Sequence, residues 1–308
     1  MKAFIPTGDS QKTVILRDVD EPEPALDAVV IEVDAYSVNR GETFQLEKPA
    51  AGWRPGKDVA GTVIRSAADG TGPAVGTHVV AHPPSAGWAE RVAVQTSQVA
   101  ELPEGLDPIV AAALPLAGLT ALRLLRAAGR LAGRRVLMTG ASGGVGHYFT
   151  ELATAEGAEL TVVTATPERG VRLKELGADR IVHDVADAEG PFDVVLESVG
   201  GHLLQQALCK LRPRGSLIWF GQASRSAPQI DFFRFWEGPI SGTIRHFDYT
   251  DSDVPDGRDL STLVDYVSKG RLHPEIGLVT DWLDTPDVLN TLRMRGVRGN
   301  AVLVRNGI

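Results

Sequence analysis

Thr139-Gly140-Ala141-Ser142-Gly143-Gly144-Val145-Gly146 closes the apolar run Arg135-Val136-Leu137-Met138 and opens a helical stretch that reaches to about Glu156. A glycine-rich turn between strand and helix suits the pyrophosphate of a dinucleotide. Glycine permits the tight turn and lets backbone approach the phosphate oxygens, and the helix N-terminus supplies N–H groups with a partial positive charge. Ser142, Gly143, Gly144 and Val145 are then the candidate phosphate contacts, and Gly146 lets the helix lie close on the strand.

The surrounding pattern agrees. From Arg134 onward, strand-like and helix-like runs alternate: Glu159–Ala165, the helical Pro167–Gly177, Arg180–Asp184, Phe192–Gly200, the helical His202–Leu211, and Ser216–Gly221. Such alternation implies βαβ units and a parallel sheet. The first hundred residues read differently. Ala28–Val33, Ala60–Ser66, Thr77–His82 and Ala89–Val94 are short strands divided by Gly and Pro clusters, the pattern of an antiparallel, partly open barrel. Between the two regions a helix is expected from about Asp107 to Gly129, kinked near Pro115. Asp251–Asp259 reads as a linker or hinge, followed by two helices and a last strand, Asn300–Asn306.

A length of 308 residues fits about two domains. The 39 acidic against 31 basic side chains give a net charge of -8, so a global basic footprint for nucleic acid is missing. The single cysteine, Cys209, can form neither an internal disulfide nor a cysteine-rich zinc site. The opening residues lack the apolar core of a secretory signal. The longest nearly uncharged apolar run, Pro108–Leu122, is too short to span a bilayer and contains Pro115. No nucleic acid or membrane partner and a cytoplasmic setting are expected.

The turn also fits other patterns. Gly140-Ala141-Ser142-Gly143-Gly144 matches the G-x-S-x-G nucleophile elbow of α/β hydrolases, with His246 or His273 as the base, although the upstream oxyanion loop is not found. It also looks like the short-chain dehydrogenase turn, but that family places it near the N-terminus and uses Tyr-x-x-x-Lys, whereas Tyr266 and Lys269 are only three apart. A plain strand–helix corner is the bland alternative. NAD sites usually place Asp or Glu at the end of the second strand, on the ribose 2′-OH. Here that strand ends in Thr164 and Thr166, with Arg169 beyond, residues suited to a 2′-phosphate. NADPH is therefore the expected cofactor, with Glu168 the one dissenting carboxylate.

In order along the chain, these features resemble the medium-chain dehydrogenase/reductase superfamily, and most of all its zinc-free quinone oxidoreductase (zeta-crystallin-like) branch and the related enoyl reductases. Tyr36–Phe44 is similar to the branch's Val-Asn-x-x-Asp segment, Pro55–Val63 to Pro-Gly-x-Asp-x-Ala-Gly-x-Val, and Gly87–Glu90 to Gly-x-x-Ala-Glu. Leu114–Ala121, the glycine turn, Leu176–Asp179 and Val195–Gly201 follow in the family's order, so the likeness covers nearly the whole chain. It implies an α/β fold: a GroES-like, mostly β catalytic domain formed by residues 1–117 and the C-terminal return 251–308, with a Rossmann NADP-binding domain at 118–250 between them.

The chain departs from the zinc-dependent branch, which has Cys where Asn39 stands and His where Lys57 stands, so no metal is expected. His78 and His82 read as ordinary strand and loop residues. Phe44 replaces a tyrosine common in quinone reductases, and Asn300 replaces a lysine. The resemblance implies hydride transfer from NADPH to a quinone or an α,β-unsaturated carbonyl. Asn39 is the expected donor to the acceptor oxygen, Arg40 and Lys57 are cationic helpers, and Tyr36 or water is the proton donor. Thr120 would meet the nicotinamide carboxamide and Ser198, Val199 and Gly200 its ribose. Gly221 and Ala223 would line the nicotinamide pocket and Asn300 is a further cofactor contact. Phe232, Phe233, Phe235 and Trp236 read as buried core or as a dimer contact, and a homodimer is implied. The alternative is a non-catalytic NADPH-binding redox sensor or stress protein, kept open by Phe44 and Asn300.

Overall fold

The structure, a computed structural model, describes residues 1–305; the last three positions of the expected C-terminal return lie outside the described residues. The chain divides into two compact units. The first comprises Met1–Leu119 and the residues from Asp253 onward, and the second Thr120–Ser252.

In the first unit, β1 (Lys2–Pro6) and β2 (Val14–Asp18) form an antiparallel pair. There follow β3 (Ala28–Val38), α1 (Arg40–Gln45), β4 (Asp58–Arg65), β5 (His78–Ala81), β6 (Arg91–Gln95), β7 (Val99–Glu101) and α2 (Pro108–Ala112). The expected single helix at 107–129 is two helices, because α3 (Pro115–Ala128) begins afresh at its proline. Proline lacks the N–H that a helix interior needs but suits the first helical position. Asp107 caps α2 by accepting from the Ile109 N–H at 2.8 Å.

The second unit holds β8 (Arg135–Met138), α4 (Gly144–Ala155), β9 (Glu159–Val163), α5 (Pro167–Glu175), β10 (Arg180–Val182), β11 (Phe192–Glu197), α6 (His202–Leu208), β12 (Leu211–Trp219) and β13 (Thr243–His246). The chain then completes the first unit with α7 (Asp256–Ser268), β14 (Ile276–Asp281), α8 (Thr285–Arg293) and β15 (Asn300–Val304). The expected linker at 251–259 is shorter than its composition suggests: its second half is the first turn of α7, where Asp259 is buried.

The first unit's sheet runs β14-β15-β3-β4-β5-β7, with β6 also on β3. β3 is its centre because almost all of Ala28–Val38 is apolar and buried. β15 lies antiparallel to β3, pairing Leu303 with Tyr36 and Val302 with Ser37, which ties the returning segment to the N-terminal strands. Phe4, Ile31, Val33, Tyr36, Trp88, Trp282 and Leu303 belong to one core, and Phe4 meets Trp282 edge to face at 5.8 Å.

The second unit's sheet is fully parallel, in the order β10-β9-β8-β11-β12-β13. Its central strands are buried apolar runs, as a sheet covered on both faces requires. Strand order grows from β8 to β10 on one side, then restarts at β11 on the other. The C-terminal ends of β8 and β11 therefore flank a topological switch point, where open α/β sheets bind ligands.

Candidate active site

The glycine turn lies at that switch point. Gly140 has φ +63, a left-handed conformation that L side chains rarely adopt, and the turn delivers the chain into α4 with Gly143 as N-cap. No side chain caps α4, so its N-terminal N–H groups are left for a ligand. A Cβ on Gly146 would lie 2.0 Å from the Ala141 carbonyl oxygen, so only glycine allows this helix–strand approach. Ser142, Gly144 and Val145 are half-buried and Gly143 is exposed. This uncapped, side-chain-free cradle fits a pyrophosphate.

Ser142 does not have the strained backbone of a nucleophile elbow. Among the described residues, the non-glycine ones with positive φ are Ala86, Arg214, Arg225, Ser241 and Arg295. His246, one of the two candidate bases, lies on β13 with its ring 4.8 Å from that of Trp219. The turn is therefore not a nucleophile elbow.

At the end of β9, Thr164 is buried, donates its hydroxyl to the Thr166 carbonyl at 3.0 Å and lies 3.2 Å from His183 Nδ1. That hydroxyl helps to shape the turn. Thr166 is exposed, and its hydroxyl holds the Glu168 carboxyl below its usual pKa. Arg169 is half-buried in the first turn of α5.

Three loops meet at the ends of β8, β11 and β12. The Ala223 N–H donates to the Ser198 carbonyl at 2.9 Å and the Ser224 N–H to the Val199 carbonyl at 2.8 Å. Gly221 packs on Ser198, where a Cβ would lie 3.0 Å from the Ser198 carbonyl oxygen. Ser198 donates its hydroxyl to the Thr139 carbonyl at 3.1 Å. The expected contacts Ser198, Val199, Gly200, Gly221 and Ala223 are therefore neighbours. Thr120 is buried within α3. Sequence reasoning missed Glu197, the fully buried last residue of β11, although a lone carboxylate ending an apolar strand was a readable signal.

In the first unit, Asp58 is the hub of a buried polar cluster. It accepts from Ser37 Oγ at 2.5 Å, Asn39 Nδ2 at 2.6 Å and the Leu116 N–H at 2.9 Å, and His82 Nδ1 lies 3.2 Å away. The Leu116 contact puts this carboxylate at the N-terminus of α3, where the helix dipole favours it. Glu42, also buried, accepts from the Asn39 N–H at 3.0 Å and the Gly56 N–H at 2.9 Å. Burial, helped by the Asp58 charge, pushes Glu42 up to about 8 against those bonds and the nearby Lys57. Asn39 thus has one amide N–H committed to Asp58.

Lys57 is half-buried, and the Arg40 guanidinium lies over the Phe44 ring at 5.9 Å, so Phe44 serves as a cation–π face. Tyr36 is not available as a proton donor. It is fully buried, stacked on Trp88, and its hydroxyl is 2.6 Å from Thr285 Oγ1. Burial raises its pKa despite that bond. Asn300 is buried in β15 and donates its amide to the Glu275 carbonyl at 3.1 Å.

Asn39 and Lys57 offer zinc an amide already donating to Asp58 and an ammonium group, which do not fit a zinc site. Among the described residues no group of three His, Cys, Asp or Glu side chains converges as a metal site would need, and no helix is long and apolar enough to cross a membrane. The aromatic segment is core only at Phe235, which packs on the second unit's core, whereas Phe232, Phe233 and Trp236 are 67%, 78% and 72% exposed.

Residues 144–260 match the zinc-binding dehydrogenase family model. A quinone oxidoreductase of Mus musculus is 33% identical over 225 residues, covering 66% of this chain and 67% of that protein. A zinc-type alcohol dehydrogenase-like protein of Leptosphaeria maculans is 28% identical over 217 residues, 65% of this chain and 58% of that one. The chain spans 58%, 56% and 65% of the first curated relatives it matches, less than two thirds of their length. A mycobacterial protein solved in complex with NADPH superposes with a TM-score of 0.89 at 25% identity, over 99% of this chain and 100% of that one.

The carboxyl cluster carries a pH signature. Folded Glu42 keeps its proton up to about pH 8, whereas the unfolded chain releases it near the ordinary glutamate value of 4.5. Folding takes up a proton in that window, so stability falls as pH rises through it. Between about pH 5 and about pH 9, urea unfolding of the wild type is expected to lose stability relative to Glu42→Gln. Parallel pH profiles for the two proteins would contradict this.

Proposed function

The chain belongs to the quinone oxidoreductase branch of the medium-chain dehydrogenase/reductase superfamily, and on that premise we propose that it is an NADPH-dependent reductase of quinones or α,β-unsaturated carbonyls, working without zinc in the cytoplasm. The observation that carries this reading is the uncapped N-terminus of α4 behind a glycine turn at the switch point of a parallel sheet. Bound NADPH supplies the hydride. The N–H groups of residues 143–145, with Ser142, hold the pyrophosphate. Thr166 and Arg169 take the 2′-phosphate, while Thr164 fixes their turn. Ser198–Gly200 cradle the nicotinamide ribose, and Thr120, Gly221 and Ala223 border the ring.

Negative charge develops on the acceptor oxygen as hydride arrives, and preorganised donors lower that barrier. Asn39 is held by Asp58 and Glu42, and its remaining amide N–H is the proposed donor. Arg40 and Lys57 add positive charge. Water delivers the proton, since Tyr36 is sealed in the core.

We further propose that two copies pair through the second unit. β13 is an edge strand with all four residues exposed, and it follows the exposed Phe232, Phe233, Trp236 and Ile240. Pairing with its own copy would remove an unprotected edge from both sheets at once. Sedimentation should show a dimer for the wild type and a monomer for Phe233→Asp/Trp236→Asp; a wild-type monomer would refute this.

The nucleotide reading is tested by fluorescence titration with NADPH and NADH, followed by NADPH oxidation with an o-quinone. NADPH is expected to bind more tightly than NADH, with that preference reduced roughly tenfold by Arg169→Ala. Preference for NADH would mean that Glu168 reads the ribose. Tight binding without turnover across quinones and enones would favour the sensor reading.

A further inference from the structure

We infer that Glu197 is a positioning residue for the nicotinamide half of the cofactor, acting through the backbone of Ser198–Gly200; this rests on the NADPH reading above. Glu197 ends β11 with its carboxylate fully buried. One oxygen accepts from the Val199 N–H at 2.8 Å and the Thr139 hydroxyl at 3.0 Å. The other accepts from the Gly200 N–H at 3.0 Å. Thr139 Oγ1 in turn accepts from the Ser198 N–H at 3.1 Å, and the Ser198 hydroxyl donates to the Thr139 carbonyl.

Thr139 immediately precedes the glycine turn. A single carboxylate therefore joins the ends of β8 and β11, the two strands that flank the switch point. Meanwhile the carbonyls of Ser198 and Val199 are taken by the N–H groups of Ala223 and Ser224. The loop is held from both sides: its N–H groups turn in to Glu197 and its carbonyls to the following loop. Gly200 has φ +74, and a Cβ there would lie 2.8 Å from Gln222 Cγ, so the loop has little room for another shape.

Burying a carboxylate is unfavourable unless donors surround it, and here burial raises its pKa despite the donors. A neutral residue would end a strand at lower cost. What the carboxylate adds is a loop fixed before the ligand arrives, which removes the ordering cost from binding. Two of its donors, Val199 and Gly200, belong to the segment assigned to the nicotinamide ribose.

Glu197→Gln keeps the shape but turns an NH2 group toward inward-pointing N–H donors. The affinities of the full-length wild type and variant for NADPH and for 2′,5′-ADP, which lacks the nicotinamide half, separate the two roles. NADPH binding is expected to weaken roughly tenfold or more, with 2′,5′-ADP binding unchanged within about twofold. Equal weakening of both ligands, or of neither, would overturn the inference. If Glu197→Gln does not fold, Glu197→Asp should show the same nicotinamide-selective loss in smaller degree, and an unselective loss would overturn the inference. A wild type that binds 2′,5′-ADP and NADPH equally well would also overturn it, whereas one that binds neither would remove the nucleotide reading itself.

Discussion

The approach of Gly146 to the Ala141 carbonyl is the contact on which the arrangement of the second unit's ligand face depends. With no side chain between them, α4 begins directly over the end of β8. That places the helix N-terminus at the point where strand order reverses, with β9 on one side and β11 on the other. Any larger residue would push the helix away and move its N-terminal N–H groups. Thr139, Ser198 and the 221–224 loop are arranged around this fixed corner.

Buried carboxylates recur as organising groups. Asp58 gathers Ser37, Asn39 and the start of α3, Glu42 holds the Asn39 and Gly56 backbone, and Glu197 holds the 198–200 loop. Each turns a buried acidic side chain into fixed backbone geometry, because a carboxyl group can accept several N–H groups that a loop cannot satisfy itself. Removing such a group leaves its donors unpaired in the interior, which costs more than the hydrogen bonds contribute on balance. The same property gives the first unit its dependence on pH through Glu42.

Much of this was legible in the sequence. The parallel sheet followed from alternation, and the glycine turn identified its ligand end. Pro115 announced a break, though as a new helix rather than a kink. What local pattern could not reveal were contacts far apart in the chain. Tyr36 looked like a donor because its hydroxyl's partner, Thr285, lies at the other end of the sequence. The Asn300 contact with the Glu275 carbonyl likewise joins residues 25 positions apart. β14 was missed because Ile276–Asp281 is only partly buried, with a weak apolar signal. Thr164 was read from its residue type, but its hydroxyl direction is set by the backbone two residues on. The aromatic segment was legible only as core or dimer contact, because composition cannot distinguish a buried aromatic cluster from an exposed one.

The central claim is that a dinucleotide occupies the corner built by Gly146 and Glu197. Hydrogen exchange of the backbone amides, with and without NADPH, tests it most directly, since it reports on the N–H groups assigned to the ligand. Slowed exchange should concentrate at residues 142–146. Unchanged exchange there, with protection confined to other parts of the chain, would contradict it.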